Sequence, residues 1–158
     1  MDITNPVHWF AFGFGSGLSP VAPGTAGSAL ALLLWWWLAR LPMPWYLLLV
    51  LALSLAGVWI CGSTSGQLGL HDPSAVVWDE WVGLWLALAG LPRRWWWGTA
   101  GFVVFRLFDV IKAGPVGWAD HAMPGGWGIV ADDLFAGVMA LAVLWLFRAV
   151  WQRCSPLR

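Results

Sequence analysis

Between Ile3 and Leu70 this chain carries one charged side chain, Arg40. A soluble domain usually holds roughly 25% charged residues. Here the whole 158-residue chain holds 10%, with 60% hydrophobic residues and a mean hydropathy of +0.73. The expectation is an all-α, polytopic integral membrane protein, and the length argues for one domain over residues 1–158. The net charge is zero and there is no basic stripe, so nothing points to nucleic acid.

The apolar runs set an expected order of about four to five membrane-embedded helices. Ala26–Ala39 reads as the first, capped by Thr25 or Ser28 and ended by Arg40, Pro42 and Pro44. Trp45–Cys61 reads as the second, near the lower limit for crossing a bilayer. Gly62–Gly69 reads as a loop or frayed end, residues 77–91 as the third helix, and Trp95–Lys112 as the fourth. Gly114–Gly128, with five glycines and two prolines, reads as a loop before a last helix over Asp132–Trp151. The chain has 16 tryptophans; many flank Arg40 and Arg93-Arg94, as in an aromatic belt at a lipid–water boundary. Cys61 and Cys154 are too few and too isolated for a disulfide framework or zinc site and read as packing residues. The N-terminus lacks the pattern of a cleaved signal peptide.

Against this background five carboxylates stand out: Asp79-Glu80, Asp109 and Asp132-Asp133. An Asp at a membrane-helix centre costs about 2.5–3.5 kcal/mol even on lenient scales, so such groups imply a cation, a proton path or a reaction. If the helices alternate in direction, residues 63–80 and 106–133 and the glycine-rich stretch 13–28 share one face. Arg40, Arg93, Arg94, Arg148, Arg153 and Arg158 then share the other. Asp79 and Gly83 share a helix face, as do Asp133 and Gly137, placing the acids at seams of small residues. Acidic residues alone are oxygen ligands for a hard cation such as Mg²⁺, with one or two ions possible. An Asp beside a helix start is also a common N-cap or dipole partner, the alternative for Asp132 or Asp133 alone.

Three further features complete the candidate site. Arg106, Asp109 and Lys112, at i, i+3 and i+6, bring two cations beside one carboxylate. His71 is a candidate acid/base group, while Asp72-Pro73 reads as an N-cap followed by a first-turn proline. The 13–28 stretch, with Ser19 and Thr25, is a candidate phosphate cradle ahead of the first helix.

At these residues the sequence resembles the phosphatidylglycerophosphatase A family. The similar blocks are GFGSGLSPVAPGTAGS, HDPSAVVWDEWVG, FVVFRLFDVIK and GGWGIVADDLFAGV, in family order over about residues 6–150. The resemblance implies a bacterial inner-membrane enzyme that removes the terminal phosphate of phosphatidylglycerophosphate by a Mg²⁺-activated water, leaving phosphatidylglycerol. It implies that Asp79, Glu80, Asp109, Asp132 and Asp133 are the metal-binding acids. Asp79, Glu80, Asp109, Asp133 and His71 are the expected catalytic set, and Arg106, Lys112, Ser19 and Thr25 the expected substrate contacts. The family block after the lysine usually runs Lys-Pro-x-Pro-Ile-Arg; here it runs Lys112-Ala113-Gly114-Pro115-Val116-Gly117, without the first proline and the arginine.

The alternative is a cation- or proton-coupled transporter, since buried acids also mark ion paths. Clustering at one face and the short chain argue against it. The motifs of CDP-alcohol phosphotransferases and of histidine-based lipid phosphatases are missing. Positive charge in the threaded helices would place the site outside the cytoplasm. A substrate made on the cytoplasmic side argues the reverse, and is the expectation kept.

Overall fold

A computed structural model describes residues 5–112 and 114–154, so Ala113 and Arg158 lie outside the described residues. The described chain is entirely helical: α1 (Pro6–Ala11), a 3₁₀ segment (Gly13–Leu18), α2 (Pro23–Leu38), α3 (Met43–Leu68), α4 (Trp78–Ala87), α5 (Trp95–Ile111), α6 (Pro115–Ala122) and α7 (Gly126–Cys154).

Two of these helices, α3 and α7, are long and apolar enough to cross a membrane. Of the four to five membrane-embedded helices expected, these two have that length. The third expected helix shortens most: α4 has 10 residues, about 15 Å at 1.5 Å per residue, half of a hydrocarbon core of about 30 Å. Its apolar pattern continues to Leu91, but the helix ends at Leu88, and Gly90 turns the chain at φ +70°.

Helix α4 is nonetheless the centre of the packing. It is apolar nearly all round, as buried helices are, and packs on α7 most extensively, then on α2 and α3. The α4–α7 crossing depends on the two expected glycines. A Cβ on Gly83 would lie 2.7 Å from the Asp133 carbonyl, and one on Gly137 would lie 2.5 Å from the Gly83 carbonyl. Backbones approach this closely only without side chains.

The tryptophans divide into two groups. Trp35, Trp78, Trp81, Trp85 and Trp97 are buried, and Trp78 and Trp85 donate their indole N–H groups to the carbonyls of Leu53 and Ala31. A buried indole needs such an acceptor. Others are exposed and sit beside arginines as expected: Arg40 lies over Trp37 at 4.2 Å and Arg93 over Trp36 at 5.0 Å. Cys61 is buried, but Cys154 is exposed and is not a packing residue.

Other boundaries move for local reasons. Pro42 is the N-cap of α3 and Pro44 lies in its first turn, so these prolines start the next helix. Residues 62–68 continue α3, which stops at Gly69 in the left-handed region, φ +66°. Neither Thr25 nor Ser28 caps α2: the cap is Ala22 with no side-chain bond, followed by Pro23. Asp72-Pro73 opens no helix; Val76 N–H closes a turn onto the Pro73 carbonyl. The expected loop Gly114–Gly128 contains α6, and α7 begins at Gly126, a turn and a half before Asp132. Asp132 and Asp133 are therefore not N-caps.

Candidate active site

The five expected carboxylates converge on one cavity of about 280 Å³. Its walls come from the start of α2 (Ala22, Pro23, Gly24), the segment before α4 (Asp72, Ser74, Val76), and Asp79 and Glu80 of α4. Arg106, Asp109, Val110 and Lys112 at the end of α5, with Asp132 and Asp133 of α7, complete it. The five expected carboxylates and both expected cations are thus brought together.

Asp79, Glu80 and Asp133 form the inner group. One carboxylate oxygen from each lies within 4.8 Å of the others. Asp79 is 6% exposed and Asp133 3%. Among the described residues, Asp79 Oδ1, Glu80 Oε2 and Asp133 Oδ1 are buried without a hydrogen-bond partner. Burying a carboxylate unpaired is costly, and three of them facing one another are costlier still. The α4–α7 glycine seam sets this arrangement, because it brings the Asp133 turn of α7 directly onto α4.

The other two carboxylates are paired. Asp109 bonds Arg106 one turn earlier on α5, and Arg106 Nη1 also lies 3.5 Å from Glu80 Oε1. Arg106 Nε is buried and has no partner. Asp132 accepts from Lys112 Nζ at 3.0 Å and from its neighbour's backbone, Asp133 N–H, at 2.8 Å.

Lys112 is more heavily engaged than the sequence suggests. It ends α5 in the left-handed region, φ +48°. From there Nζ reaches Asp132, Asp120 at 3.1 Å and Asp72 at 3.8 Å. Burial lowers the lysine's pKa, but the bonds to Asp132 and Asp120 outweigh it and hold the group above its ordinary value. Lys112 therefore ties α5, α6, α7 and the segment before α4 together rather than standing free for a ligand.

Three expected residues stay outside this constellation. His71 is exposed, does not line the cavity, and contributes only its backbone carbonyl to Ser65 Oγ. Ser19 donates to the Val21 carbonyl at 2.8 Å, and Thr25 points to solvent from the first turn of α2; neither lines the cavity. Gly24 replaces them as the α2 contribution: a Cβ there would overlap Glu80 Oε1 and approach Arg106 Nη1 at 3.0 Å. Gly24, Asp72, Ser74 and Asp120 were missed from sequence. Asp120 had one signal, Pro115 at the start of a helix, masked by the surrounding glycines.

Comparison with known proteins gives this arrangement a context. Residues 9–148 match the family described as phosphatidylglycerophosphatase A. The phosphatidylglycerophosphatase A of Escherichia coli (strain K12) is 42% identical over 152 residues, covering 96% of this chain and 88% of that protein. That of Haemophilus influenzae is 38% identical, covering 91% and 90%. A protein of Bacteroides thetaiotaomicron, named provisionally as a phosphatidylinositol-3-phosphatase, is 40% identical, covering 87% and 91%. No solved structure matches. With the family match spanning residues 9–148 and two such relatives aligned over about nine-tenths of their length, the chain belongs to the phosphatidylglycerophosphatase A family.

Proposed function

We propose that this cavity hydrolyses the terminal phosphate monoester of phosphatidylglycerophosphate, giving phosphatidylglycerol and inorganic phosphate. Beyond family membership, one observation carries the reading: the buried carboxylates of Asp79, Glu80 and Asp133, each with an unpartnered oxygen, within 4.8 Å of one another. An all-oxygen, all-anionic group of this kind fits a hard divalent cation, and Mg²⁺ with substrate phosphate is the usual pairing. Asp79, Glu80 and Asp133 would hold it, with Asp109 and Asp132 flanking. When bound, Mg²⁺ supplies charge neutralisation to the phosphate and acidifies water.

The chain's own groups do the rest. Arg106, fixed by Asp109 and Glu80, has Nε left as a buried donor for a phosphate oxygen. Charge-assisted bonds of this type strengthen as charge builds on the transferring group. Water attacks phosphorus in line, the new P–O bond forming as the ester P–O bond breaks. Its proton passes to a cavity carboxylate that is not holding the cation, and the departing glycerol oxygen takes a proton from the same group, leaving as the free alcohol. Lys112 keeps Asp132 oriented. His71, Ser19 and Thr25 have no part in this reading, and neither family nor cavity supports the transporter alternative.

We place the chain in the bacterial inner membrane as a multi-pass protein, α3 and α7 crossing, α4 embedded without crossing, and the cavity open to the cytoplasmic side. Thiol labelling in a variant lacking Cys61 and Cys154 tests the side. Gly66→Cys suits it, because nothing lies within 4 Å of a Cβ there, as does Trp127→Cys, 57% exposed. Gly126 does not, since a Cβ would overlap the Val58 carbonyl. Labelling only from the periplasm overturns the placement. For activity, the test is phosphate release from phosphatidylglycerophosphate, phosphatidate and phosphatidylinositol 3-phosphate, with and without Mg²⁺. Release from the first, abolished by chelation, is expected; preference for another lipid would reassign the substrate.

A further inference from the structure

The cavity has two unlike rims. Asp72 and Ser74, both exposed, make one side polar. The cavity's apolar lining includes Ala22, at the start of α2, and Val110, near the end of α5. Val110 both lines the cavity and is 70% exposed, so it joins the interior to the outer surface. Leu107 and Val103, one and two turns back on α5, continue the same face and are 55% and 56% exposed. The stripe begins beside Asp109 and runs about 10 Å along the helix, at 1.5 Å per residue.

From this we infer that Val110, Leu107 and Val103 form the acyl-chain track of the lipid substrate, entered sideways between the start of α2 and the end of α5. The inference rests on the proposed phosphatase reading and adds to it the part of the lipid remote from the reaction. A phosphate held among Asp79, Glu80 and Asp133 must lead its ester chain out through a rim. Diacyl tails cannot follow the polar rim, where Asp72 pairs with Lys112. Over Val110 they meet exposed apolar side chains, while the charged neighbours Arg106 and Asp109 are turned largely inward, 18% and 14% exposed and bonded to each other. Other exposed apolar residues, such as Leu51 and Leu55 of α3, do not line the cavity.

The experiment compares two substrates that share the reacting group: long-chain phosphatidylglycerophosphate in mixed micelles and its deacylated, water-soluble head group. The double variant Val103→Ser/Leu107→Ser should lower the lipid-to-head-group ratio of kcat/KM about tenfold, the scale of losing a few methylene contacts. Leu51→Ser/Leu55→Ser should leave the ratio at the wild-type value. An equal loss on both substrates, or the same ratio change in the α3 control, overturns the track. A photoreactive side chain at position 110 provides a readout that needs no head-group turnover. It should crosslink the lipid, with the crosslink competed by added substrate, whereas one at position 51 should not be competed; crosslinks competed equally at both positions refute the assignment. Wild-type protein that releases phosphate from neither substrate sinks the phosphatase reading itself, and the track with it.

Discussion

Gly24→Ala should uncouple activity from stability. Gly24 is buried in the first turn of α2 and faces the cavity. Its backbone is helical, so alanine is an intrinsically better residue there, by up to about 1 kcal/mol in a helix interior and less in a first turn. The added methyl, however, would overlap Glu80 Oε1 and sit 3.0 and 3.1 Å from Arg106 Nη1 and Nη2. The Glu80 side chain is the part that can yield. An off-rotamer shift of about 30° costs about 0.5–1.5 kcal/mol, so the two effects nearly cancel in stability. They do not cancel in catalysis. Glu80 belongs to the carboxylate group and shares Arg106 with Asp109. Misplacement by about 1 Å costs on the order of 100-fold in rate, about 2.7 kcal/mol of barrier. The assay pairs phosphate release in mixed micelles with thermal unfolding followed by tryptophan fluorescence. A Gly24→Ala enzyme within twofold of wild type would refute the claim that the Glu80–Arg106 geometry matters. A melting point lowered by many degrees would show instead that the helix packing had failed. The double variant with Glu80→Asp, whose shorter side chain withdraws from the methyl, should be less impaired than the two single losses predict.

Asp79→Asn and Asp133→Asn should each reduce phosphate release at least on the order of 100-fold, the scale on which loss of one charge-stabilising group slows an enzyme. In chelator, both variants should unfold at higher temperature than wild type. Each removes one of three buried, unpartnered carboxyl groups that crowd one another; a lower melting point would contradict the burial argument. Gly137→Val should destabilise by about 1–3 kcal/mol through overpacking, because its Cβ would meet the Gly83 carbonyl at 2.5 Å; thermal unfolding measures it. Lys112→Met releases Asp72, Asp120 and Asp132 from their shared cation. It should cost about 1–2 kcal/mol, discounted from the fully buried case because a third of the lysine side chain is exposed, and Lys112→Arg should recover most of it.

The carboxylates were legible because charge in an apolar run has few innocent explanations. The α4–α7 seam was legible because glycine four residues after an acid shares its face. What the sequence hid was set by tertiary contact. Residues 77–91 read as one helix because apolar periodicity runs on to Leu91, whereas Gly90 turns the chain and places its carbonyl against Arg148. Helix α6 was hidden by glycines that read as loop. Gly126 in particular is needed for close approach to Val58 of α3 rather than for flexibility. Asp132 then looked like a helix start, and Asp120 was not seen at all. His71 stands one to two helical turns before Asp79, and Ser19 and Thr25 stand in the glycine-rich stretch ahead of the first helix. But Asp72-Pro73 opens no helix and that stretch turns both hydroxyls away, so sequence proximity does not bring them to the cavity wall.

The charge around the cavity constrains the order in which it can be filled. Among the described residues lining it, six carboxylates (Asp72, Asp79, Glu80, Asp109, Asp132, Asp133) face two cations, Arg106 and Lys112. Both cations are already paired with these carboxylates. A phosphate monoester brings nearly two further negative charges. Each ionised carboxylate of the cavity repels such a group. One free guanidinium nitrogen cannot offset several such repulsions. The cavity should therefore admit phosphate only after a divalent cation has reduced this excess, while the cation needs no phosphate to bind. Calorimetric titration separates the two orders. Mg²⁺ should bind the phosphate-free protein, and inorganic phosphate should bind only in its presence. Phosphate binding in chelator with undiminished affinity would mean that the carboxylates are largely protonated in the resting protein, and that the electrostatic account of this site is wrong.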